Sequence, residues 1–473
     1  MPTILWTDGL IFILLFMLTM FVLHVRRYEH LRRPWRTVLR SRVAMSSAVI
    51  LMIYLLIGIL DSLHFHPRLE NVSGNAIESE EVQYSTQIKS VFDVVVSHLQ
   101  DRDEKTYSAP FAAFQYSKET LEKDDGTTIR DHPRLKFGGA HLDDPLNGIP
   151  SDIINIISKS TIKSLVLFSL FFLLIIWRIS RNKNWLFKDA FKTVLAGQTD
   201  TPWRVILITL ALSFWVLLSA WDLSHYYHIF GTDKVGQDVF YQSMKSIRTG
   251  LIIGTLTTLV MLPFAVLMGI SAGYFRGWID DVIQYIYTTL NSIPGVLLIA
   301  AAILMLQVYM ANHAEEFTSL AARSDMRLLF LCIILGVTSW TGLCRLLRGE
   351  TMKLREVDYI QAAQAFGVGH MTIILRHILP NVMHLILISV VLDFSGLVLA
   401  EAVLSYINIG VDPSMNSWGN MINSARMEMA REPIVWWALV AAFSFMFVLV
   451  LAANLFSDAV RDAFDPRLQE REE

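Results

Sequence analysis

Residues 358–381 read DYIQAAQAFGVGHMTIILRHILPN and lie between two long apolar runs. The stretch is polar enough for water, yet it is patterned as two short helices meeting at a glycine. Arg355 to Phe366 predicts a helix, with Ile360, Ala363 and Phe366 recurring at i, i+3 and i+6 and Gln361 and Gln364 beside them. Gly367 is expected to end it, because glycine takes left-handed backbone angles without steric penalty. Gly369 loosens the turn. Met371, Ile374, Leu375 and Ile378 then recur at i, i+3, i+4 and i+7 as the apolar face of a second short helix, which Pro380 is expected to stop. Two short amphipathic helices need an apolar surface to lie on. That surface is either the ends of the chain's own apolar segments or a groove on a partner.

The flanking runs set the class. Of 473 residues, 53% are hydrophobic and only 18% charged, and the mean hydropathy is +0.44. Apolar runs of about 18 residues or more suggest membrane spans. Nine are expected, at 4–24, 43–60, 162–178, 203–222, 248–272, 283–309, 327–347, 383–404 and 434–456. The first lacks a basic leader before it and a small-residue cleavage pattern after it, so it reads as a retained span. Charge sets the orientation. Residues 25–42 carry seven arginines against one glutamate, and 178–204 carry Arg178, Arg181, Lys183, Lys188, Lys192 and Arg204 against two aspartates. Residues 61–161 hold seventeen acidic and ten basic side chains. Short basic loops stay cytoplasmic. The N-terminus is therefore expected outside, 61–161 outside, and 348–382 and the C-terminal tail in the cytoplasm.

The soluble piece, 61–161, is expected to be a small α+β or irregular domain. VFDVVVSHLQ (91–100) reads as a strand or a helical turn, and 122–150 is rich in turn residues. Cys332 and Cys344 fit no metal or disulfide spacing and read as packing residues. His64, His66, His225 and His228 come from distant segments without ligand spacing. Trp418, Trp436 and Trp437 fit an interfacial aromatic belt. The seven arginines of 25–42 suit an interfacial helix on anionic lipid.

No phosphate-cradling G-x-x-x-x-G-K-[ST] loop occurs, and no Gly-Lys dipeptide at all. No nucleophile–base pair or metal cluster stands out, so neither an enzyme nor a cofactor is expected, and nothing points to nucleic acid. Three residues in the spans suggest a solute path. Asp393 sits mid-span, where a carboxylate usually faces a cavity or a partner. Glu401 lies nearer the outer end, with an easier route to water. Pro294 interrupts the 283–309 span, and broken helices at membrane depth tend to line cavities.

Gln361-Ala362-Ala363, Gly367 and Leu379-Pro380, in that order, resemble the "EAA" loop of ABC importer permeases, with Gln361 in place of the usual glutamate. The likeness continues through GTDKVGQDVFYQSMKSIRTGLIIG (231–254), AGYFRGWIDDVIQYIYTTLNSIPGVLLIAA (272–301), LAEAVLSYINIGVDPSMNSWGNMINSAR (399–426), SDAVRDAFDPRL (457–468) and RRPWRTVLRSRVAMSSAVILMIYLLIGIL (32–60). These are similar to the dipeptide/oligopeptide branch of that family. In the external re-entrant segment Glu401, Ser405, Gly410, Pro413, Ser417, Trp418 and Gly419 match, while Asn408 stands where glycine is usual.

The resemblance implies an all-α polytopic permease with a core of about six spans, each long enough to cross. It divides the chain into an extra N-terminal span with a basic segment (1–42), a first core span (43–60), an extracytoplasmic insert (61–161), two extra spans (162–222) and a permease core (223–473) holding the coupling loop 349–381. It implies that Asp358, Gln361, Ala362, Ala363, Gly367, Leu379 and Pro380 meet an ATPase. It also implies two ABC ATP-binding subunits, a second homologous permease and an extracytoplasmic solute-binding protein at a bacterial inner membrane. Peptides are the expected solute, with nickel or another small solute as the alternative. Two rivals differ in kind. An ion-coupled transporter would show paired intramembrane charges and repeated broken helices. A membrane sensor would keep the core and use 61–161 and the extra spans.

Overall fold

The computed structural model describes residues 2–27, 29–68, 84–122, 128–184, 186–313, 315 and 319–464. Residues 69–83 and 123–127 of the expected insert, 465–468 of the stretch that resembles the family's tail, and 469–473 lie outside these. Helices carry the fold: α1 (Trp6–Arg27), α2 (Glu29–Arg40), α3 (Arg42–Asp61), α4 (Pro145–Lys183), α5 (Phe187–Leu195), α6 (Trp203–Ser224), α7 (Val239–Phe275), α8 (Trp278–Ser292), α9 (Gly295–Asn312), α10 (Leu320–Arg355), α11 (Asp358–Ala365), α12 (Leu379–Tyr406), α13 (Trp418–Glu428) and α14 (Trp437–Phe464). Among the described residues nine helices are long and apolar enough to cross a membrane.

Two boundaries differ from expectation. The 283–309 run is not one helix: α8 ends at Ser292, Ile293 is extended (φ −91°, ψ 129°), and Pro294 precedes α9. Proline lacks an N–H and pushes the residue before it out of the helical region. The 162–178 span is the later part of α4, which begins at Pro145 and runs 39 residues. The last six residues of the expected turn-rich segment, 145–150, are therefore helix. Apolar residues at Ile149, Ile153, Ile156 and Ile157 carry it, packed with Leu223 and Tyr227.

The chain divides into two compact units. The first comprises Met1–Thr3, Trp35–Arg248 and Asn416–Phe456. Its small sheet runs in the order β1 (Pro2–Thr3), β2 (His64–Phe65), β3 (Lys89–Ser90), all antiparallel, with Thr3 opposite His64 and His64 opposite Ser90. A second antiparallel pair, β4 (Glu119–Glu122) and β5 (Thr128–Asp131), sets Glu119 opposite Asp131. VFDVVVSHLQ forms two short helical turns; Ser90 caps the first through a reciprocal pair of bonds with Asp93. Lys245 ties this region together, reaching Asp61 and Asp93 at 2.8 Å each. Helices α4 and α6 lie side by side. Asp222 accepts from Ser160 Oγ (2.6 Å) and Lys163 Nζ (2.8 Å), and the Trp215 indole donates to Thr161 Oγ1 (2.9 Å).

Two expected belt tryptophans are instead internal anchors of this unit. Trp418 and Trp437 are 1% and 0% exposed. Their indole N–H groups donate to the Ser243 and Thr232 carbonyls at 3.1 and 2.9 Å. A buried indole N–H needs an acceptor, and these two main-chain carbonyls supply it. Trp436 remains exposed.

The second unit comprises Ile4–Pro34, Thr249–Met415 and Ser457–Glu473. One core gathers Met261, Tyr274, Trp340, Cys344, Leu347 and the elbow residues Ile360, Ile373 and Ile378. The other gathers Ile252, Leu256, Ile303, Leu331 and Cys332. Both cysteines are free and buried. Helices α7 and α10 meet through glycine: a Cβ at Gly269 would come within 2.8 Å of the Cys344 carbonyl oxygen, and one at Gly273 within 2.6 Å of Thr351 Cβ. Helix α1 is pinned at its start, where Thr7 donates from both its backbone N–H (3.1 Å) and its hydroxyl to the Asp325 carboxylate.

Candidate functional site

The first helix of the elbow between α10 and α12 starts later than its sequence pattern, at Asp358 rather than Arg355. Helix α10 continues to Arg355, Glu356 closes it, and Val357 is extended (φ −78°, ψ 138°) before α11 begins at Asp358. Gly367 then takes φ +76°, as expected, and Gly369 opens a second helical turn over His370–Ile373. Pro380 does not stop this helix. The chain passes through a π-turn at Ile374–Ile378 and runs straight into α12. The wider turn answers the proline, which offers no N–H and whose ring would crowd the carbonyl four residues back.

The faces of the elbow also differ from the pattern. Ile360, Ile373 and Ile378 are fully buried, whereas Phe366, Met371 and Leu375 are 88%, 68% and 58% exposed. Ala363 and Leu379 are half-buried; Asp358, Gln361, Ala362, Gly367 and Pro380 are exposed. The elbow is held from below by residues the periodicity did not single out. Arg355 donates to the Tyr274 carbonyl (2.8 Å), and Arg276 pairs with Glu356 (2.6 Å). The Tyr274 hydroxyl meets His370 Nδ1 at 2.9 Å and accepts from Gln364 at 3.4 Å. Arg348 grips Asp280 with two bonds of 2.6 and 2.7 Å, and this guanidinium holds the Asp280 carboxyl below the usual carboxylate range. Gln361 donates to the Glu356 carbonyl (3.2 Å), so the amide locks the elbow's first corner. The only visible signal for these clamps was the AGYFRGWIDD stretch, quoted for its resemblance rather than its chemistry.

The three span residues separate. Pro294 sits at the α8–α9 break. Asp393 is half-buried on α12, and among the described residues it has no hydrogen-bonding or ionic partner. Glu401 does not escape to water. It is 2% exposed and accepts from Ser405 Oγ at 2.7 Å. Ser405 Oγ in turn accepts from the Val411 N–H (3.3 Å), and a Cβ at Gly410 would collide with Ser405. Asn408 takes φ +63°, the left-handed angle that glycine would adopt, so the turn keeps a glycine-like corner. Gly410 and Pro413 fall in the second unit; Ser417, Trp418 and Gly419 fall in the first, where Ser417 Oγ caps α13 by accepting from Asn420 N–H (3.0 Å).

The expected outer histidines serve separate ends. His66 meets the Ser85 carbonyl (2.8 Å), and His225 stacks on His98 at 3.9 Å. His228 is buried between Asp238 (2.7 Å) and Glu104 (3.5 Å). Burial opposes its charge, but the two carboxylates outweigh it and hold the imidazole up at about 9. Glu104 also accepts from the N–H groups of Lys136, Phe137 and Gly138, so this trio closes the insert onto the loop before α7. Among the described residues no group of three His, Cys, Asp or Glu is placed to hold a metal.

Comparison with known proteins adds a family match and three relatives. Residues 265–470 match the family described as "Binding-protein-dependent transport system inner membrane component". The chain is 30% identical over 277 residues to the glutathione transport system permease protein GsiD of Pectobacterium atrosepticum, covering 56% of this chain and 85% of that one. It is 30% identical to GsiD of Escherichia coli (59% and 96% covered) and 28% identical to the oligopeptide transport system permease protein OppC of Haemophilus influenzae (58% and 85%).

Proposed function

Since the chain belongs to the inner-membrane permeases of binding-protein-dependent ABC importers of the peptide type, we propose that residues 356–380 are the handle by which a separate ATP-binding subunit moves it. One observation carries this reading: the elbow buries Ile360, Ile373 and Ile378 against its own helices and still presents Phe366, Met371 and Leu375 to solvent. Large apolar side chains left exposed together on a clamped element mark a surface for a protein partner. Asp358, Gln361 and Ala362 border that surface, Gly367 shapes its turn, and Leu379 and Pro380 join it to α12.

Two ATP-binding subunits, one on this elbow and one on a second homologous permease, would close on ATP and push. Helices α10 and α12 run directly out of the elbow, so the push becomes a tilt of both. Hydrolysis belongs to those subunits. The path lies between the two permeases, with the α8–α9 break at Pro294 and Asp393 facing it, while Glu401 shapes the outer turn. In this reading the N-terminus and residues 61–161 are extracytoplasmic, the elbow and C-terminus are cytoplasmic, and a solute-binding protein delivers at 405–433. The solute is a short peptide, in keeping with relatives named for glutathione and oligopeptides.

The test is co-purification in mild detergent and ATP-dependent uptake of labelled peptide. Phe366→Asp touches no packed group, so the chain should fold and elute alone, with uptake lost. Met371→Asp, on a side chain that is also exposed, should do the same. Variants that retain both the ATPase and full uptake would sink the proposal.

A further inference from the structure

Helices α4, α5 and α6, the region that the transport reading leaves without a task, enclose an apolar cleft of about 480 Å³. Leu165, Phe168 and Phe172 of α4, Leu207 and Ile208 of α6 and Val194 of α5 form its walls. One charged side chain, Arg204, lies at its mouth. Arg204 is exposed, and among the described residues it has no carboxylate partner. It is the second residue of α6, so it sits at the end of the span. Ala211, seven residues further on, lines the cleft about 10 Å deeper, at the rise of an α-helix. The cleft therefore runs from Arg204, at the end of the apolar span, in among the span's apolar side chains.

We propose that this cleft holds an anionic phospholipid, with its headgroup phosphate on Arg204 and one acyl chain between α4 and α6. Three observations select this occupant. The walls are apolar, which suits a chain and not a peptide solute. The connecting segment 178–204 carries six basic side chains against two acidic ones, so its field favours an anionic headgroup over a zwitterionic one, which brings its own ammonium. A protein helix seated in the cleft would cover Arg204, and it would have to supply a carboxylate in apolar surroundings. Short α5 closes the cleft on one side: Ala190 and Val194 are buried, while Phe187 and Leu195 stay exposed. The inference needs only the membrane and is independent of which solute is carried.

The experiment uses the full chain with its co-purifying subunits, reconstituted in phosphatidylcholine vesicles. Phosphatidylglycerol and phosphatidylcholine probes, each with a photoreactive acyl chain, are compared at equal mole fraction, and adducts are mapped by peptide mass spectrometry. Adducts are expected on 165–172 and 207–211, with phosphatidylglycerol favoured about fivefold, the ratio one cation near an anionic surface supports. Arg204→Gln should equalise the probes, Arg204→Lys should keep the preference, and Ala211→Phe should remove both adducts by filling the cleft. Equal labelling of the wild-type chain, a preference that survives Arg204→Gln, or a subunit peptide cross-linked in place of lipid would overturn the proposal.

Discussion

Helices α7 and α10 are as apolar as α4 and α6, yet they are built into the molecule differently. Of the membrane-crossing windows, 44% of α7 and 56% of α10 are buried within the chain, against 11% for both α4 and α6. The first pair approaches through glycine at 269 and 273, with Val260 pressed on Gly336 in the same way. The second pair is joined by polar links near one end, at Asp222 and Trp215, and leaves a cleft towards the other. Lipid tails are as apolar as leucine, so burying a leucine against another helix gains little in a bilayer. Close backbone approach and polar pairing decide which helices are inside. The matched family region begins at residue 265, within the tightly packed pair.

Three substitutions would break or sharpen this contrast. Lys245 and Lys163 each bind an aspartate, but Lys245 is 15% exposed between two carboxylates and Lys163 is 59% exposed beside one. Lys245→Met strands Asp61 and Asp93, and stability should fall by about 3–5 kcal/mol. Thermal unfolding in detergent would show this as a large drop in midpoint, and an unchanged midpoint would mean the cluster holds nothing together. Gly273→Val should cost about 1–3 kcal/mol by forcing α7 off Thr351 and Arg348, read in the same melt and as an earlier-eluting, broader peak. Lys163→Ala should cost less than about 1 kcal/mol, as exposed pairs do. A loss as large as that of Lys245→Met would show that α4 and α6 are no looser than the core.

Much of the elbow was legible beforehand. Gly367 needed a positive φ and has one, Gln361–Ala363 lie on the helix that leads into that turn, and Leu379–Pro380 open α12. Its faces were not legible. Periodicity grouped Ile360 with Phe366 and Met371 with Ile378, because an isolated helix shows an apolar stripe without showing what covers it. The structure splits each group, since α11 and the π-turn lie flat on Tyr274 and Trp340 and can bury only one side. Trp418 and Trp437 failed for the same reason: an indole suits the membrane boundary and a buried carbonyl equally well until the carbonyl's position is known.

What sequence alone determined was the transfer energy of each segment: nine runs apolar enough for a bilayer, the charge contrast between the segments that join them, and a helix-breaking glycine in the elbow. Those properties are local, set by a side chain's own chemistry and its near neighbours along the chain. Only the tertiary structure decided which apolar helices face protein rather than lipid, which carboxylates find a lysine or a hydroxyl, and that Pro380 is absorbed by a π-turn instead of ending a helix. Each of these depends on groups distant in sequence or on the exact path of the backbone, and neither is encoded in hydropathy.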